Sequence, residues 1–154
     1  MKFILGTTFF FLSIFNLIAQ SNDYKTIRDR FLNPTCGQVD SSIVFQNHQA
    51  LLNVNTDLYP INIDLYYSDL GFSFYRIYLI SSDISQLKNS IDAYSLSNEK
   101  LPKQSYTLWQ LSILNFFLGD CEQCKYFLKE YKAVTEANNW DIESIQGFNE
   151  LCGE

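Results

Sequence analysis

The residues best suited to chemistry are two cysteines three positions apart, Cys121 and Cys124. At the start of a helix, a Cys-x-x-Cys pair can act as a thiol–disulfide redox centre, because the helix N-terminus lowers a thiol pKa. The strand and helix alternation that surrounds such centres in thioredoxin-like proteins is missing here. We therefore expect a structural pair, and a thiol–disulfide oxidoreductase is the alternative function.

Two further cysteines, Cys36 and Cys152, bring the total to four, and four cysteines allow three complete pairings. Cys36 and Cys152 are expected at opposite ends of a stack of helices, too far apart for a disulfide. A Cys121–Cys124 bond and a Cys121–Cys152 bond both remain open. Either one leaves Cys36 as a free thiol or as a link to another chain.

The single histidine, His48, lies between Asn47 and Gln49, which is typical of an ordinary polar helix face. One Cys-x-x-Cys pair and one distant histidine do not make a convincing four-ligand zinc site. The sequence also contains no phosphate loop, dinucleotide-binding glycine motif or zinc-protease motif. We expect no catalytic residue, no metal and no cofactor.

Composition narrows the class of partner. The chain has 154 residues, a net charge of -6 and 47% hydrophobic residues, so it has enough apolar surface to fold as a globular protein. An acidic chain lacks the basic stripe that nucleic-acid phosphates require. The six glycines and three prolines are few, which favours long helices over a loop-rich β fold.

The N-terminus is typical of an export signal. Lys2 precedes an apolar run that ends at Ile18, and Ala19 supplies the small residue of a cleavage site. The alternative is an uncleaved membrane anchor, but the run is short and contains polar residues. We expect residues 1–19 to be a cleaved signal peptide, so that the protein is periplasmic or secreted without membrane insertion.

The elements that must position these residues are helices. Apolar spacing predicts six main helices and a short final one. They cover about 22–32, 42–54, 62–80, 84–97, 102–118, 121–137 and 141–152. A short strand over 43–45 is the alternative for part of the second helix.

The helix boundaries are predicted by residues that favour caps. Asp83, Asp120 and Asp141 can each accept hydrogen bonds from the first backbone amides of a helix. Pro102 fits the first turn of the fifth helix, where its missing N–H costs nothing. Gly119 can end that helix in the left-handed conformation.

An internal repeat relates the two central helix pairs. Shifting the chain by 37 residues superimposes apolar positions and cap residues alike. The matched pairs include Asp83/Asp120, Gln86/Gln123, Leu87/Cys124, Ile91/Leu128 and Tyr94/Tyr131. Each unit is a helix, a tight turn with aspartate, and a second helix.

The stretch 118–131 resembles the turn and second helix of a tetratricopeptide repeat, and the resemblance covers about 68–137. It implies an all-α, right-handed stack of antiparallel helical hairpins, a TPR-like α-solenoid, with 141–152 as a capping helix. A helical segment over 20–60 would precede the repeats in 61–154. The sequence departs from the family at Cys124 and Tyr131, where alanine is usual. An irregular helical bundle is the alternative.

The resemblance also implies a binding surface, because the first helix of each hairpin lines the concave face in this family. The corresponding positions are Asp69, Phe72, Arg76 and Leu79, then Tyr106, Trp109, Ile113 and Phe116. Tryptophan, tyrosine and arginine concentrate binding energy at interfaces. We expect a protein or peptide partner on this face. The alternatives are that the N-terminal helices fill it, or that the protein is a structural module of an envelope assembly.

Overall fold

The computed structural model describes residues 24–29, 40–57 and 61–153. The predicted signal peptide, 1–19, and Cys36 lie outside these residues. Within these residues the regular structure is entirely helical. This confirms the predicted all-α fold class for the part of the chain that the structure describes. The segment 43–45 is part of a helix, so the alternative of a short strand there is wrong.

Seven α-helices occur in the described residues, and from the second helix onward their bounds follow the predicted ones closely, except at the start of the fifth. They are α1 (24–29), α2 (Ser41–Leu52), α3 (Ile63–Ser81), α4 (Ile84–Lys100), α5 (Ser105–Leu118), α6 (Cys121–Val134) and α7 (Ile142–Cys152). A short 3-10 helix, Ala137–Asn139, lies between α6 and α7.

The chain divides into two units, 1–62 and 63–154. In the first, α2 buries Val44, Asn47, His48 and Leu51. Their spacing of three, four and seven residues places them on one helix face. The prediction that His48 belongs to an ordinary polar face is therefore wrong: it lies on the buried face, and desolvation of the imidazolium lowers its pKa.

In the second unit, the three predicted aspartate caps are formed. Asp83 accepts a hydrogen bond from the Ser85 amide at 2.9 Å. Asp120 accepts from the Gln123 amide, and Asp141 from the Ser144 amide. Because each cap satisfies an amide that has no partner within its helix, the aspartates determine where α4, α6 and α7 begin.

The predicted start of α5 at Pro102 is wrong. Lys103 has a φ of 67°, which is the left-handed region that a helix residue cannot occupy. Gln104 is extended and acts as the N-cap. The helix therefore starts at Ser105, three residues after the proline. The predicted end is confirmed, since Gly119 follows α5 with a φ of 82°.

Adjacent helices of the second unit pack together: α3 on α4, α4 on α5, and α5 on α6. One cluster of buried side chains joins α4 to α5 and comprises Leu87, Tyr94, Leu111 and Leu114. A second joins α5, α6 and α7 and comprises Leu108, Cys124, Leu128, Tyr131, Ile145 and Phe148. The helix α5 therefore contributes to both clusters, with different side chains.

The two helix pairs differ at one packing position. A Cβ atom on Gly71 would lie 2.7 Å from the Tyr94 ring, so the absence of a side chain lets this ring pack against α3. In the 37-residue alignment, Leu108 and Tyr131 occupy the same two places. The Tyr131 ring instead lies 5.0 Å from Trp109, between centroids. This contact packs Trp109 of α5 against Tyr131 of α6.

Candidate binding site on the face of α5

The structure brings together the four predicted site residues of α5. Tyr106, Trp109, Ile113 and Phe116 recur every three or four residues, so they share one helix face. Tyr106 is 48% exposed, and the other three are half-buried against the cluster shared with α6 and α7. This face of α5 is therefore partly covered by the end of the chain.

The predicted site residues of α3 have different surroundings. Asp69 is only 5% exposed. Phe72 packs against the cluster that joins α4 to α5, and the Arg76 guanidinium lies 5.8 Å from the centroid of the Phe72 ring. Leu79 is exposed. Phe72 thus contributes to packing within the unit, whereas the α5 residues lie beside open pockets.

The first of these pockets, here called the apolar pocket, lies where α3, α5 and α7 meet. Its volume is about 410 Å³. It is lined by Tyr75, Ile113, Phe116, Phe117, Ser144, Gly147, Phe148 and Leu151. Phe116 packs against Phe148 with ring centroids 4.7 Å apart, and Tyr75 stacks on Phe117 at 6.2 Å.

Two large side chains of the apolar pocket remain open to solvent. Leu151 is 75% exposed and Phe117 is 48% exposed. None of the eight lining residues carries a charge. The pocket therefore offers an apolar surface from three helices that are distant in the sequence.

One wall of the apolar pocket is held by a covalent bond. A disulfide joins Cys121, at the start of α6, to Cys152, at the end of α7. Of the two pairings that the sequence leaves open, this is the one formed. Because Leu151 precedes Cys152 directly, the bond fixes the segment of α7 that carries this pocket residue.

The other cysteine of the Cys-x-x-Cys pair is not part of a disulfide. Cys124 is a free thiol with no exposed surface, and burial raises its pKa. A raised pKa reduces the fraction of the nucleophilic thiolate. In the structure, Cys124 is therefore a small apolar packing residue between α5, α6 and α7.

The second pocket, here called the aromatic pocket, lies at the opposite end of the same α5 face. Its volume is also about 410 Å³. It is lined by Ser105, Tyr106, Trp109, Tyr131, Thr135 and Asn139. The Tyr131 hydroxyl donates to the Asn139 carbonyl at 3.1 Å, and the hydroxyl oxygens of Tyr106 and Tyr94 are 3.3 Å apart.

Two carboxylates affect the tyrosines of the aromatic pocket. Burial raises the pKa of Tyr106, its hydrogen bond with Tyr94 opposes this shift, and the Asp69 carboxylate adds a smaller increase. Burial and then the Asp141 carboxylate raise the pKa of Tyr131. A nearby negative charge raises a tyrosine pKa because it disfavours the phenolate. No lysine or arginine lines the pocket.

Several lining residues of the two pockets are not predicted as site residues from the sequence. The resemblance assigns Tyr131 to packing inside a hairpin, although it lines the aromatic pocket. The final helix is expected to be a cap, although Phe148 and Leu151 line the apolar pocket. One signal in the sequence could indicate Phe117: two adjacent phenylalanines near a helix end cannot both face the same core.

No three or more His, Cys, Asp or Glu side chains in the described ranges are grouped so that they could bind a metal ion. Over the same ranges, every helix is too short or too polar to cross a membrane. No protein-family model matches this sequence, and no curated protein or solved structure matches it significantly.

Proposed function

We propose that this chain is an exported, TPR-like helical-repeat protein that binds a segment of a partner protein on the aromatic face of α5. A large apolar side chain of the partner would occupy the apolar pocket. The observation that carries this proposal is the exposure of Leu151 and Phe117 at the rim of an uncharged, aromatic-lined pocket. Exposed apolar patches with aromatic anchors are typical of protein interaction sites.

The repeat architecture is supported by the equivalent construction of the two helix pairs. Both second helices begin at an aspartate cap, Asp83 in one and Asp120 in the other, and adjacent helices pack. Export is supported by the N-terminal pattern and by the Cys121–Cys152 disulfide, because disulfides persist chiefly in oxidising compartments.

The cysteine arrangement weighs against the oxidoreductase alternative. A Cys-x-x-Cys redox centre needs an accessible, low-pKa thiolate. Here Cys121 is bonded to Cys152, and Cys124 is buried with a raised pKa. We therefore retain binding as the proposed function.

Selection from a random peptide library tests the proposal. We expect the purified protein to enrich peptides that contain phenylalanine, leucine or tryptophan. Leu151→Glu should weaken their binding at least tenfold, which is about 1.4 kcal/mol, since it places a charge against the apolar pocket. The matched control is Leu101→Glu, because Leu101 is also exposed but lines neither pocket.

Two results would contradict the proposal. The first is a failure to enrich any peptide above the level of an unrelated control protein, which would favour a structural module. The second is equal binding of the selected peptides to the wild type and to Leu151→Glu.

A further inference from the structure

The aromatic pocket differs chemically from the apolar pocket although both lie along α5. It combines three aromatic side chains, Tyr106, Trp109 and Tyr131, with polar groups at its edge. Tyr106 is 48% exposed, so ligands can reach it from solvent.

The charge around this pocket favours one class of ligand. The Asp141 carboxylate interacts electrostatically with Tyr131, and the lining contains no cationic side chain. Aromatic rings also attract cations through their quadrupole, most strongly tryptophan and tyrosine. A cation therefore gains from the three aromatic rings that line the pocket and from the Asp141 carboxylate near Tyr131.

We propose that the aromatic pocket is a second subsite, which takes the ammonium or guanidinium group of a lysine or arginine side chain of the protein partner. This inference rests on the proposed function, because it assigns both pockets to one bound segment. It specifies the partner as a segment with one cationic and one large apolar residue.

The spacing of the two pockets defines the segment further. Trp109 and Phe116 are seven residues apart on α5, or about 10 Å at 1.5 Å per residue. On a helical partner, residues seven positions apart lie on one face at the same separation. A helical partner segment would therefore carry the cationic and apolar residues seven positions apart, and the test uses this form.

Designed peptides test this subsite. The probe is an alanine-based helical peptide with lysine and phenylalanine seven positions apart, compared with the same peptide carrying uncharged norleucine instead of lysine. We expect the wild type to bind the lysine peptide about 3- to 10-fold more tightly at low salt, a ratio consistent with a cation–aromatic contact. The ratio should fall as salt is raised.

Protein variants test whether the preference for the lysine peptide arises in the aromatic pocket. Tyr106→Leu should reduce the lysine-to-norleucine ratio towards one. Tyr126→Leu should leave it unchanged, because Tyr126 is 55% exposed on α6 and lines neither pocket. Leu151→Glu should weaken both peptides alike and preserve the ratio. Equal affinities for the two peptides, or an unchanged ratio in Tyr106→Leu, would overturn the cationic subsite.

A second probe separates this inference from the proposed function. Tetramethylammonium chloride is titrated while the two tryptophan indole signals are followed by NMR, with sodium chloride as the control. We expect a saturable shift of the Trp109 signal in the wild type and its loss in Tyr106→Leu. If the peptides fail to bind but this shift occurs, the subsite stands and the proposed function fails. Absence of the shift overturns the subsite.

Discussion

Gly71 determines how closely α3 and α4 approach. Its missing side chain makes room for the Tyr94 ring, which has no exposed surface. The Ser90 hydroxyl also donates to the Gly71 carbonyl at 2.7 Å. A single small residue thus permits a large aromatic side chain to fill the space between the helices.

Substitution of Gly71 by alanine tests this packing. The new Cβ would clash with the Tyr94 ring, and overpacking of this kind costs about 1–3 kcal/mol. Part of that loss is offset by the better helix propensity of alanine, about 1 kcal/mol. We expect a net loss of stability in urea unfolding. Gly147→Ala, which meets no atom within 4 Å, should instead be neutral or stabilising.

Cys124 offers a test of burial at a single atom. Since burial raises the pKa of its thiol, we expect no labelling by a thiol reagent at pH 8 in the native state of a Cys36→Ser variant. After unfolding without reduction, one thiol should react, because the other two cysteines are bonded together. Rapid native labelling would contradict the assignment of Cys124 to packing.

Residue types predict local interactions better than they predict burial. The aspartate caps at Asp83, Asp120 and Asp141 follow from the sequence, because the capping bond is made to residues two or three positions away. The burial of His48 does not follow from the sequence, since it depends on which face of α2 is covered. The aromatic pocket likewise depends on a tertiary contact between Tyr131 and Trp109.

At the scale of helices, α7 depends on the disulfide and on few buried side chains. The helix buries Ile145 and Phe148, and Cys152 bonds it to Cys121 across a sequence separation of 31 residues. In the chain-entropy model, closing such a loop stabilises the folded state by about 3–4 kcal/mol. The bond therefore contributes substantially to holding one wall of the apolar pocket.

Removal of the disulfide should loosen α7. We expect Cys121→Ser/Cys152→Ser, or the wild type with a reductant, to lower Tm by on the order of 10 °C. Tryptophan emission should shift to longer wavelength, because Trp109 and Trp140 pack against the cluster that contains Phe148. The reductant should not lower the Tm of the double variant any further. An unchanged Tm in both cases would contradict a clamping role.

The start of α4 should respond to acid. The hydrogen bond from the Ser85 amide is the largest of the contacts that lower the pKa of Asp83. A folded-state pKa below the unfolded one stabilises the protein above the unfolded pKa, and this contribution is lost as pH falls through the folded pKa. We expect the Tm of Asp83→Asn to fall less than that of the wild type between about pH 5 and pH 2. Parallel Tm curves would contradict this effect.

Helix positions are largely predictable from the sequence, and the exception has a local cause. Pro102 is compatible with a first helical turn, but Lys103 adopts a left-handed conformation that delays α5 to Ser105. The spacing of apolar residues does not predict the backbone conformation of Lys103. The end of α5 at Gly119 is predictable, because glycine adopts the required positive φ at little cost.

At the scale of the whole molecule, the proposed site lies where distant segments meet. Tyr75 of α3, Phe117 of α5 and Leu151 of α7 line one pocket, although the first and last of them are 76 positions apart in the sequence. Local patterns predict α3, α5 and α7, but their convergence follows only from tertiary packing and the Cys121–Cys152 bond. The sequence therefore predicts the α5 face without predicting its division into two pockets.

The central claim is that the protein binds a partner segment along this face of α5. It is tested most directly by adding a selected peptide to isotope-labelled protein and mapping the backbone and methyl NMR signals that shift. We predict that the shifts concentrate on the lining residues of the apolar pocket, including Leu151, Phe117 and Ile113. Shifts confined to the exposed surface of α4 or α6, with these residues unaffected, would contradict the account.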